Sequence, residues 1–449
     1  MADNVGYRTK TWHSTSSHKS LEEVHKSIAI NKNDSFFRKL LAFTGPGYLV
    51  AVGYMDPGNW ATDLAGGSKF AYSLLSVILI SNCMAIILQY LALKLGIVTG
   101  RDLAQACRDH YSRPLSIFLW ILAEIAIIAC DLAEIIGSAL ALNLLFGVPL
   151  VAGVAITALD VFLLLLLQHR SFRYLECIVI ILIFTILSCF AINIFLSAPR
   201  FADLMLGFIP TTQIFTNPEM LYIAVGILGA TVMPHNLYLH SSIVQTRSYD
   251  ENDLAKKEAI FFSTIDSTIA LCLAFFVNAG ILIVAAAVFH TRGMHEVAEI
   301  QDAYQLLTPL LGTQVASVVF ACALLASGQN ATITGTLAGQ IIMEGFTKIQ
   351  MHPWLRRFIS RSLAILPAIA VVWYFGQNGL AQLLLFSQVI LSLQLPFAVF
   401  PLVKFTSQPE KMGIFANSSL LYLTSYIIAF IIAILNMWLL YSSFLLFYP

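Results

Sequence analysis

GYMDPGNW, at residues 53–60, interrupts the first long apolar segment of the chain. A second proline-containing motif, MPHN at residues 233–236, interrupts the sixth apolar segment in the same way. In lipid, a broken helix is tolerated only where it is buried in protein or lines a cavity that satisfies its backbone groups. The sequence therefore predicts two broken helices whose unwound turns face the interior of a membrane protein.

The composition excludes an ordinary soluble domain. The 449 residues are 58% hydrophobic and only 11% charged, whereas soluble domains carry about a quarter charged residues. The formal net charge is zero, which gives no indication of a nucleic-acid partner. The seven cysteines lie mostly in apolar runs without CxxC spacing. We interpret them as small buried residues, not as a disulfide framework or a thiolate metal site.

Eleven apolar segments are long enough to cross a bilayer, which takes about 20 residues of helix. Numbered in chain order, these predicted spans lie at roughly 41–67, 70–96, 115–143, 148–167, 174–196, 217–244, 262–289, 312–343, 359–375, 379–403 and 419–445. Residues 1–40 are predicted to be a cytoplasmic tail, disordered or weakly ordered, and no cleavable signal peptide is visible in it. Residues 41–403 then form the core, and residues 404–449 are a loop and span 11.

Charge placement predicts the orientation. Of the 25 Lys and Arg, 22 fall in the tail and in the loops on its side of the membrane, whereas Lys69, Arg200 and Arg292 fall on the other side. This asymmetry follows the positive-inside rule. We therefore expect a multi-pass membrane protein with its N-terminus in the cytoplasm and its C-terminus outside.

The positions of the two breaks predict an internal symmetry. They lie in spans 1 and 6, so spans 1–5 (about 41–196) and spans 6–10 (about 217–403) have opposite topology. An inverted repeat with two interrupted helices is typical of secondary transporters, and the interruptions mark the substrate site. We therefore interpret the chain as a carrier.

Each break supplies groups with lone pairs to a ligand. Pro57 frees the carbonyl of Gly53 and Pro234 frees that of Ala230, because proline displaces the carbonyl four residues before it. Both carbonyls lie at the negative end of a half-helix, which favours a cation. The same turns add four side chains, those of Asp56, Asn59, Met233 and His235.

The mixture of donors predicts the kind of cation. Oxygen ligands alone suit magnesium, calcium or manganese, and the Met233 thioether adds a soft ligand that hard ions use poorly. The set favours Mn²⁺ or Fe²⁺ as the transported substrate, admits Co²⁺ and Cd²⁺, and calls for no resident cofactor. Methionine also fills cores and proline also kinks membrane helices, so each has a purely structural interpretation. A purely structural interpretation does not account for Asp56, because burying a carboxylate at the centre of the bilayer costs free energy.

Span 3 carries three acids on one helical stripe, Glu124, Asp131 and Glu134. Buried carboxylates can exchange protons, which predicts a proton route along this span. A fixed ion-pair network between spans 3 and 9 is the alternative, and the two are compatible. Asp56 is another candidate proton acceptor. His240 is either a packing residue or a further member of the route.

Three segments resemble a known family. GPGYLVAVGYMDPGNWATDLAGG (45–67) and GATVMPHNLYLHSSIVQTR (229–247) are similar to the two signature segments of the Nramp family, and SGQNATITGTLAGQ (327–340) is similar to its eighth-helix segment. The resemblance, strongest to the bacterial manganese transporters, implies an all-α LeuT-type fold, proton-coupled uptake of divalent metal and no obligate partner. It implies the metal ligands Asp56, Asn59, the Ala230 carbonyl and Met233, with the Gly53 carbonyl and Gln388 joining in some conformations. It implies a proton route through Asp131, Glu134, His235 and one or more of Arg356, Arg357 and Arg361.

Two other classes of protein compete with a metal carrier. A symporter of an organic substrate could share this architecture, although Asp56 at the break opposes a substrate carboxylate. A membrane metalloenzyme is the other possibility, but no HExxH motif and no evident nucleophile–base pair occur. We therefore predict that the chain is not an enzyme.

Overall fold

The computed structural model describes residues 19–157, 172–297, 299–347, 353–375 and 380–447. The helices of this part are α1 (Phe36–Phe43), α2 (Pro46–Val52), α3 (Pro57–Phe70), α4 (Leu75–Thr99), α5 (Leu103–His110), α6 (Arg113–Phe146), α7 (150–157), α8 (Phe172–Ser197), α9 (Phe201–Gly207), α10 (Gln213–Thr216), α11 (Pro218–Thr231), α12 (Pro234–Ile243), α13 (Asp253–Val288), α14 (Ile300–Leu311), α15 (Gln314–Thr347), α16 (Pro353–Phe375), α17 (Leu380–Thr406), α18 (Pro409–Met412) and α19 (Ser419–Phe447). Short 3₁₀ turns occur at Glu22–Val24, Gly53–Met55, Val244–Thr246, His290–Arg292 and Gly413–Phe415, and the strands β1 (Ile28–Ala29) and β2 (Arg247–Ser248) pair in parallel.

The helices confirm an all-α membrane protein. Within the described residues, eight helical stretches are long and apolar enough to cross a bilayer, and they coincide with predicted spans 2, 3, 5, 6, 7, 8, 10 and 11. Span 1 is divided by its break, span 9 corresponds to α16, and span 4 lies partly outside the described residues. The count of eleven spans therefore stays a prediction.

Both predicted breaks are present, and they have the same local construction. Helix α2 ends at Val52, a 3₁₀ turn follows, Asp56 is extended, and α3 begins at Pro57. Helix α11 ends at Thr231, Met233 is extended, and α12 begins at Pro234. Proline stands in the first turn of the second half-helix, where its missing N–H breaks no hydrogen bond. Each interrupted span is thus two half-helices.

The half-helices are enclosed by long helices. Helix α6 packs most extensively on α15, and α15 packs next on α8. Helix α13 lies against α2, α3 and α4, and α17 lies against α6 and α11. The broken turns are therefore buried at the centre, where the lipid does not reach their backbone.

The N-terminal segment differs from the expectation of a disordered or weakly ordered tail. Residues 19–35, here called the N-terminal strap, pack across the ends of several helices. Leu21 is buried and its N–H donates to Glu344 of α15 at 2.9 Å, while β1 pairs with β2 beyond the end of α12. Composition alone predicted a disordered tail because most strap residues are polar. Their partners are distant in sequence, and the apolar pattern does not reveal them.

Candidate metal site

The side chain of Asn59 joins the two helix breaks. Its amide Nδ2 donates to the Asp56 carboxylate (Oδ1, 2.7 Å), to the Ala230 carbonyl (3.0 Å) and at 3.5 Å to the Gly53 carbonyl. Asp56, Asn59 and Ala230 are fully buried. Three of the predicted oxygen ligands, from both breaks, therefore surround one point, which the amide nitrogen occupies.

Asp56 is held by one oxygen and leaves the other without a hydrogen bond. Its Oδ1 also accepts from the backbone N–H of Asn59 at 2.9 Å, which caps the start of α3. Its Oδ2 accepts no hydrogen bond within the described part of the chain, although Asp56 is 0% exposed. A buried carboxylate oxygen without a donor is destabilising unless a ligand satisfies it. The arrangement suits a cation.

Met233 lies in the second break itself, and Gln388 of α17 approaches the first break. Met233 is buried in a cluster with Ala126 and Cys130 of α6 and Leu391 of α17. Gln388 lies one turn before Leu391, and its amide packs so closely on Gly58 that a Cβ there would overlap it. Glycine at position 58 therefore permits the approach of Gln388 to the first turn of α3.

Neighbouring helices satisfy the carbonyls that the first break exposes. Asn278 of α13 donates its Nδ2 to the Tyr54 carbonyl at 2.8 Å and approaches Asn59 Oδ1 at 3.4 Å. Ser327 of α15 donates to the Met55 carbonyl at 2.5 Å. Ser327 was not singled out from the sequence, although it begins the segment at 327–340. Its role depends on which helix faces the break.

Two of the predicted proton-route residues, Glu134 and His235, both contact the side chain of Cys130. The Cys130 thiol donates to Glu134 Oε1 at 3.3 Å and lies 3.8 Å from His235 Nε2. All three side chains are buried, and the Glu134 carboxylate lies against Gly335 of α15. Sequence reasoning did not assign Cys130 to the site. The available signal was its position one helical turn before Glu134 on the same stripe.

The other predicted proton-route residues lie in separate places. Glu124 accepts from Trp120 Nε1 at 3.0 Å on its own helix, and Asp131 is buried on α6. His240 Nδ1 contacts Gln89 Oε1 at 3.0 Å, and Gln89 donates to the Tyr54 hydroxyl at 2.8 Å. The side chains of Arg356, Arg357 and Arg361 lie outside the described residues.

A buried ion pair holds the N-terminal end of α2, which is the end away from the break. Arg247 binds both carboxylate oxygens of Glu176, at 2.5 and 3.2 Å, and donates to the Thr44 carbonyl at 2.7 Å. Asp266 accepts from the backbone N–H groups of Gly45 (3.1 Å) and Gly47 (2.7 Å), at the positive end of the half-helix. These contacts fix the half-helix α2 against α8 and α13.

A cavity of about 220 Å³ leads from the surface to Gln388. Its inner wall includes Thr62 and Ser392, and its mouth includes Lys69 and Glu219, which form an ion pair. Within the described ranges, no three His, Cys, Asp or Glu side chains are grouped so as to hold a metal. A cation at the breaks would depend on carbonyl, amide and thioether groups together with the single carboxylate Asp56.

This helical bundle, with two broken helices meeting at buried polar groups, defines a membrane transporter of the LeuT type. The family model described as "Natural resistance-associated macrophage protein-like" (Nramp) matches residues 47–442, and the chain belongs to this family of divalent metal transporters. The divalent metal cation transporter MntH of Listeria welshimeri is 63% identical over 437 residues, covering 97% of this chain and 98% of the relative. MntH of Bradyrhizobium diazoefficiens is 59% identical, with 99% and 98% covered.

Solved structures give the same result. The manganese transporter of Eremococcus coleocola, bound to an aromatic bis-isothiourea compound, superposes with a TM-score of 0.88 at 43% identity, covering 93% of this chain and 90% of that one. Mhp1, a nucleobase-cation-symport-1 family transporter, gives a TM-score of 0.60 at 15% identity, covering 89% and 93%, and shows the fold alone. The family and the LeuT-type fold predicted from the sequence are confirmed. The relatives are named as transporters, so the prediction that the chain is not an enzyme is also confirmed.

Proposed function

We propose that this protein imports Mn²⁺ and Fe²⁺ across the plasma membrane together with protons, and also accepts Co²⁺ and Cd²⁺. The observation that carries the proposal is the convergence of the Asp56 carboxylate and the Gly53 and Ala230 carbonyls on one point between the two breaks. Oxygen ligands beside a thioether suit a divalent transition metal better than magnesium or calcium.

In this proposal the metal replaces the amide nitrogen of Asn59 at that point. The Asn59 side chain turns so that its oxygen, instead of its nitrogen, faces the ion. Asp56, Asn59, the Ala230 carbonyl and Met233 bind the metal, and the Gly53 carbonyl and Gln388 join when the site closes. The buried Asp56 Oδ2 and Gln388 Oε1, which accept no hydrogen bond in the described part of the chain, support this assignment.

Protons leave the site along α6 in the same proposal. Glu134 and His235 flank the Cys130 thiol beside Met233, so a proton at either group lies close to the metal. Asp131, with one or more of Arg356, Arg357 and Arg361, continues the route along α6 and α16. Glu124 and His240 are secondary candidates, because their hydrogen bonds are to Trp120 and Gln89.

Alternating access follows from the half-helices. Metal enters through the outer cavity, that passage closes over Gln388, and α2 moves away from α8 and α13 to open the cytoplasmic side. The charge asymmetry of the loops supports an N-terminus and strap in the cytoplasm and a C-terminus outside. The protein works as a monomer in the bilayer, with metal and protons as its substrates and no nucleic-acid partner.

The test is Mn²⁺ flux into proteoliposomes with and without a pH gradient that is acidic outside. We expect the gradient to accelerate uptake and Asp56→Ala to abolish it, while Asp203→Ala, at an exposed position on α9, leaves it unchanged. Uptake that ignores the gradient would disprove proton coupling and leave the metal carrier standing. Full uptake by Asp56→Ala would disprove the site.

A further inference from the structure

A second cavity, of about 590 Å³, lies beside the beginning of α6, far along that helix from the metal site. Its described lining includes the two basic residues Arg108 and Arg113 and the aromatic residues Tyr111 and Trp120. The remaining described lining residues are Ser116, Ile117, Phe346 and Thr347. The cavity is thus basic, with aromatic and hydroxyl groups, and none of its described lining residues is acidic.

Several groups in the cavity are available to an anion. Arg113 makes no hydrogen bond or ion pair within the described chain, whereas Arg108 is engaged with Asp109 (3.0 Å) and the Gly345 carbonyl (2.5 Å). Asp109 also binds Arg101 at 3.0 Å, so one carboxylate serves two guanidinium groups and Arg113 remains uncompensated. Ser116 is only 5% exposed. Its hydroxyl makes no hydrogen bond with any group in the described part of the chain.

The backbone adds to the positive potential. Helix α6 is 34 residues long and begins at Arg113. Pro114 in its first turn has no N–H, and the side chain of Ser112 does not cap the other first-turn N–H groups. An uncapped helix N-terminus beside arginine attracts phosphate groups. The buried Ser116 hydroxyl, one turn into the helix, supplies a further hydrogen-bond donor to the same space.

The cavity opens towards the membrane. Ile117, which lines it, is 44% exposed, and Ile121 and Ile125 follow on the same face at 47% and 45% exposure. Residues four apart lie above one another on a helix, so these side chains form an apolar stripe that begins at the cavity. Trp120 and Tyr111 lie where the polar loop meets this stripe, the position that aromatic residues favour at a membrane interface.

We propose that this cavity binds the headgroup of an anionic phospholipid. The phosphate lies between Arg113, Arg108 and the N-terminus of α6, and the acyl chains follow Ile117, Ile121 and Ile125. Basic pockets between helices at a membrane surface are typical sites for anionic headgroups. A lipid held here bridges the beginning of α6 to the end of α15, two helices that enclose the metal site.

The experiment is native mass spectrometry of the purified full-length protein, titrated with phosphatidylglycerol or with phosphatidylcholine of the same acyl chains. We expect the wild-type protein to prefer phosphatidylglycerol. Arg113→Gln should reduce that preference about fivefold, the effect of one basic residue near an anionic surface. Ser116→Leu, which fills the space of the hydroxyl, should reduce it as well.

Lys257→Gln is the matched control, because it removes one exposed positive charge from the start of α13, away from the cavity. An equal loss of preference in Lys257→Gln and Arg113→Gln would overturn the proposal. Glycerol 3-phosphate, which has the phosphate but no acyl chains, should not displace the lipid. Displacement at comparable concentrations would show that the site takes a soluble phosphate and would overturn the assignment to a lipid.

Discussion

Asn59 presents a hydrogen-bond donor where a cation would need an acceptor. Its Nδ2 donates to Asp56 Oδ1 and to the Ala230 carbonyl at once, so these two buried oxygens are paired, whereas Asp56 Oδ2 is not. A metal at this point must displace the amide nitrogen and can then use the amide oxygen. In the proposed site, the same residue stabilises the site without metal and would complete it with metal, which would limit the energetic difference between the two states.

Asn278 should matter for metal binding without being a principal ligand. It holds the Tyr54 carbonyl and approaches the oxygen of Asn59, so Asn278→Ala leaves a buried carbonyl unpaired and Asn59 less constrained. We expect a loss of about 1–3 kcal/mol in stability and a KM for Mn²⁺ up to about tenfold higher. Uptake assays and thermal unfolding measure both. Asn143→Ala, which removes a bond to the Val148 carbonyl near the end of α6, should leave KM unchanged.

Substitution of Met233 tests whether a soft thioether ligand selects the transported metal. Met233→Ala removes the thioether of the second break, so Cd²⁺ transport should fall more than Mn²⁺ transport, and exclusion of Ca²⁺ and Mg²⁺ should weaken. Uptake of each ion into proteoliposomes measures the change. Because Met233 also packs on Ala126, Cys130 and Leu391, Met233→Leu is the control for lost packing. Unchanged Ca²⁺ exclusion in both variants would show that the thioether does not select the metal.

Individual site residues were predictable to different extents. Asp56, Asn59 and Met233 stand out because polar groups and prolines are costly in a membrane helix, so their positions alone carry information. Cys130 and Ser327 do not stand out, because cysteine and serine are common in membrane helices. Their contacts with Glu134 and with the Met55 carbonyl exist only because α6 and α15 face the breaks.

At the scale of elements, hydropathy located the membrane helices but not all their ends. Helix α13 begins at Asp253, well before the predicted start of span 7 at 262, because its first turns extend beyond the apolar segment. Span 1 was predicted from residue 41, yet Phe36–Phe43 is a separate helix and α2 begins at Pro46. Gly45 has φ +138° at this junction, a conformation that glycine adopts and that the apolar pattern does not reveal.

The buried pair of Arg247 and Glu176 should stabilise the closed position of α2. Glu176→Gln leaves the Arg247 guanidinium buried without its charge partner, which costs about 3–5 kcal/mol in comparable proteins. We expect a clearly lower unfolding temperature in detergent and faster labelling of a cysteine introduced at Thr44. Asp250→Asn removes the partner of Lys32 in an exposed pair and should cost at most about 1 kcal/mol. Equal changes in unfolding temperature and in labelling rate for Glu176→Gln and Asp250→Asn would show that the buried pair does not hold α2.

At the scale of the whole molecule, the N-terminal strap connects helices that belong to both repeats. Ser20 donates to Asp102, ahead of α5, at 2.6 Å, while Lys26 N–H donates to the Gln245 carbonyl beyond α12 at 3.0 Å. In the proposed mechanism, movement of α2 opens the cytoplasmic side, and we expect that movement to disturb the strap because the strap runs directly into α1 and α2. We therefore expect the strap to add contacts to the state in which that side is closed.

Strap docking should weaken as the pH rises. Burial raises the pKa of Asp102 to about 6, although hydrogen bonds from Ser20 and the Gln105 N–H lower it. If release of the strap exposes Asp102 and returns its pKa to the ordinary value, the docked state binds protons more readily than the released state. The stabilisation is then present in acid and is lost as the pH rises through about 6.

Hydrogen exchange of the Lys26 and Ile30 amides, whose acceptors are the Gln245 and Ser248 carbonyls, measures this equilibrium. After correction for intrinsic exchange, we expect opening to become about tenfold more favourable between pH 5 and pH 8. Lys19 and His25 belong to the strap, burial lowers the pKa of His25, and Glu344 contacts the strap. Asp102→Asn is therefore needed to isolate the carboxylate, and it should remove the weakening of docking at higher pH. A dependence that persists in Asp102→Asn would assign it to those neighbours, and Asp102 would then only cap α5.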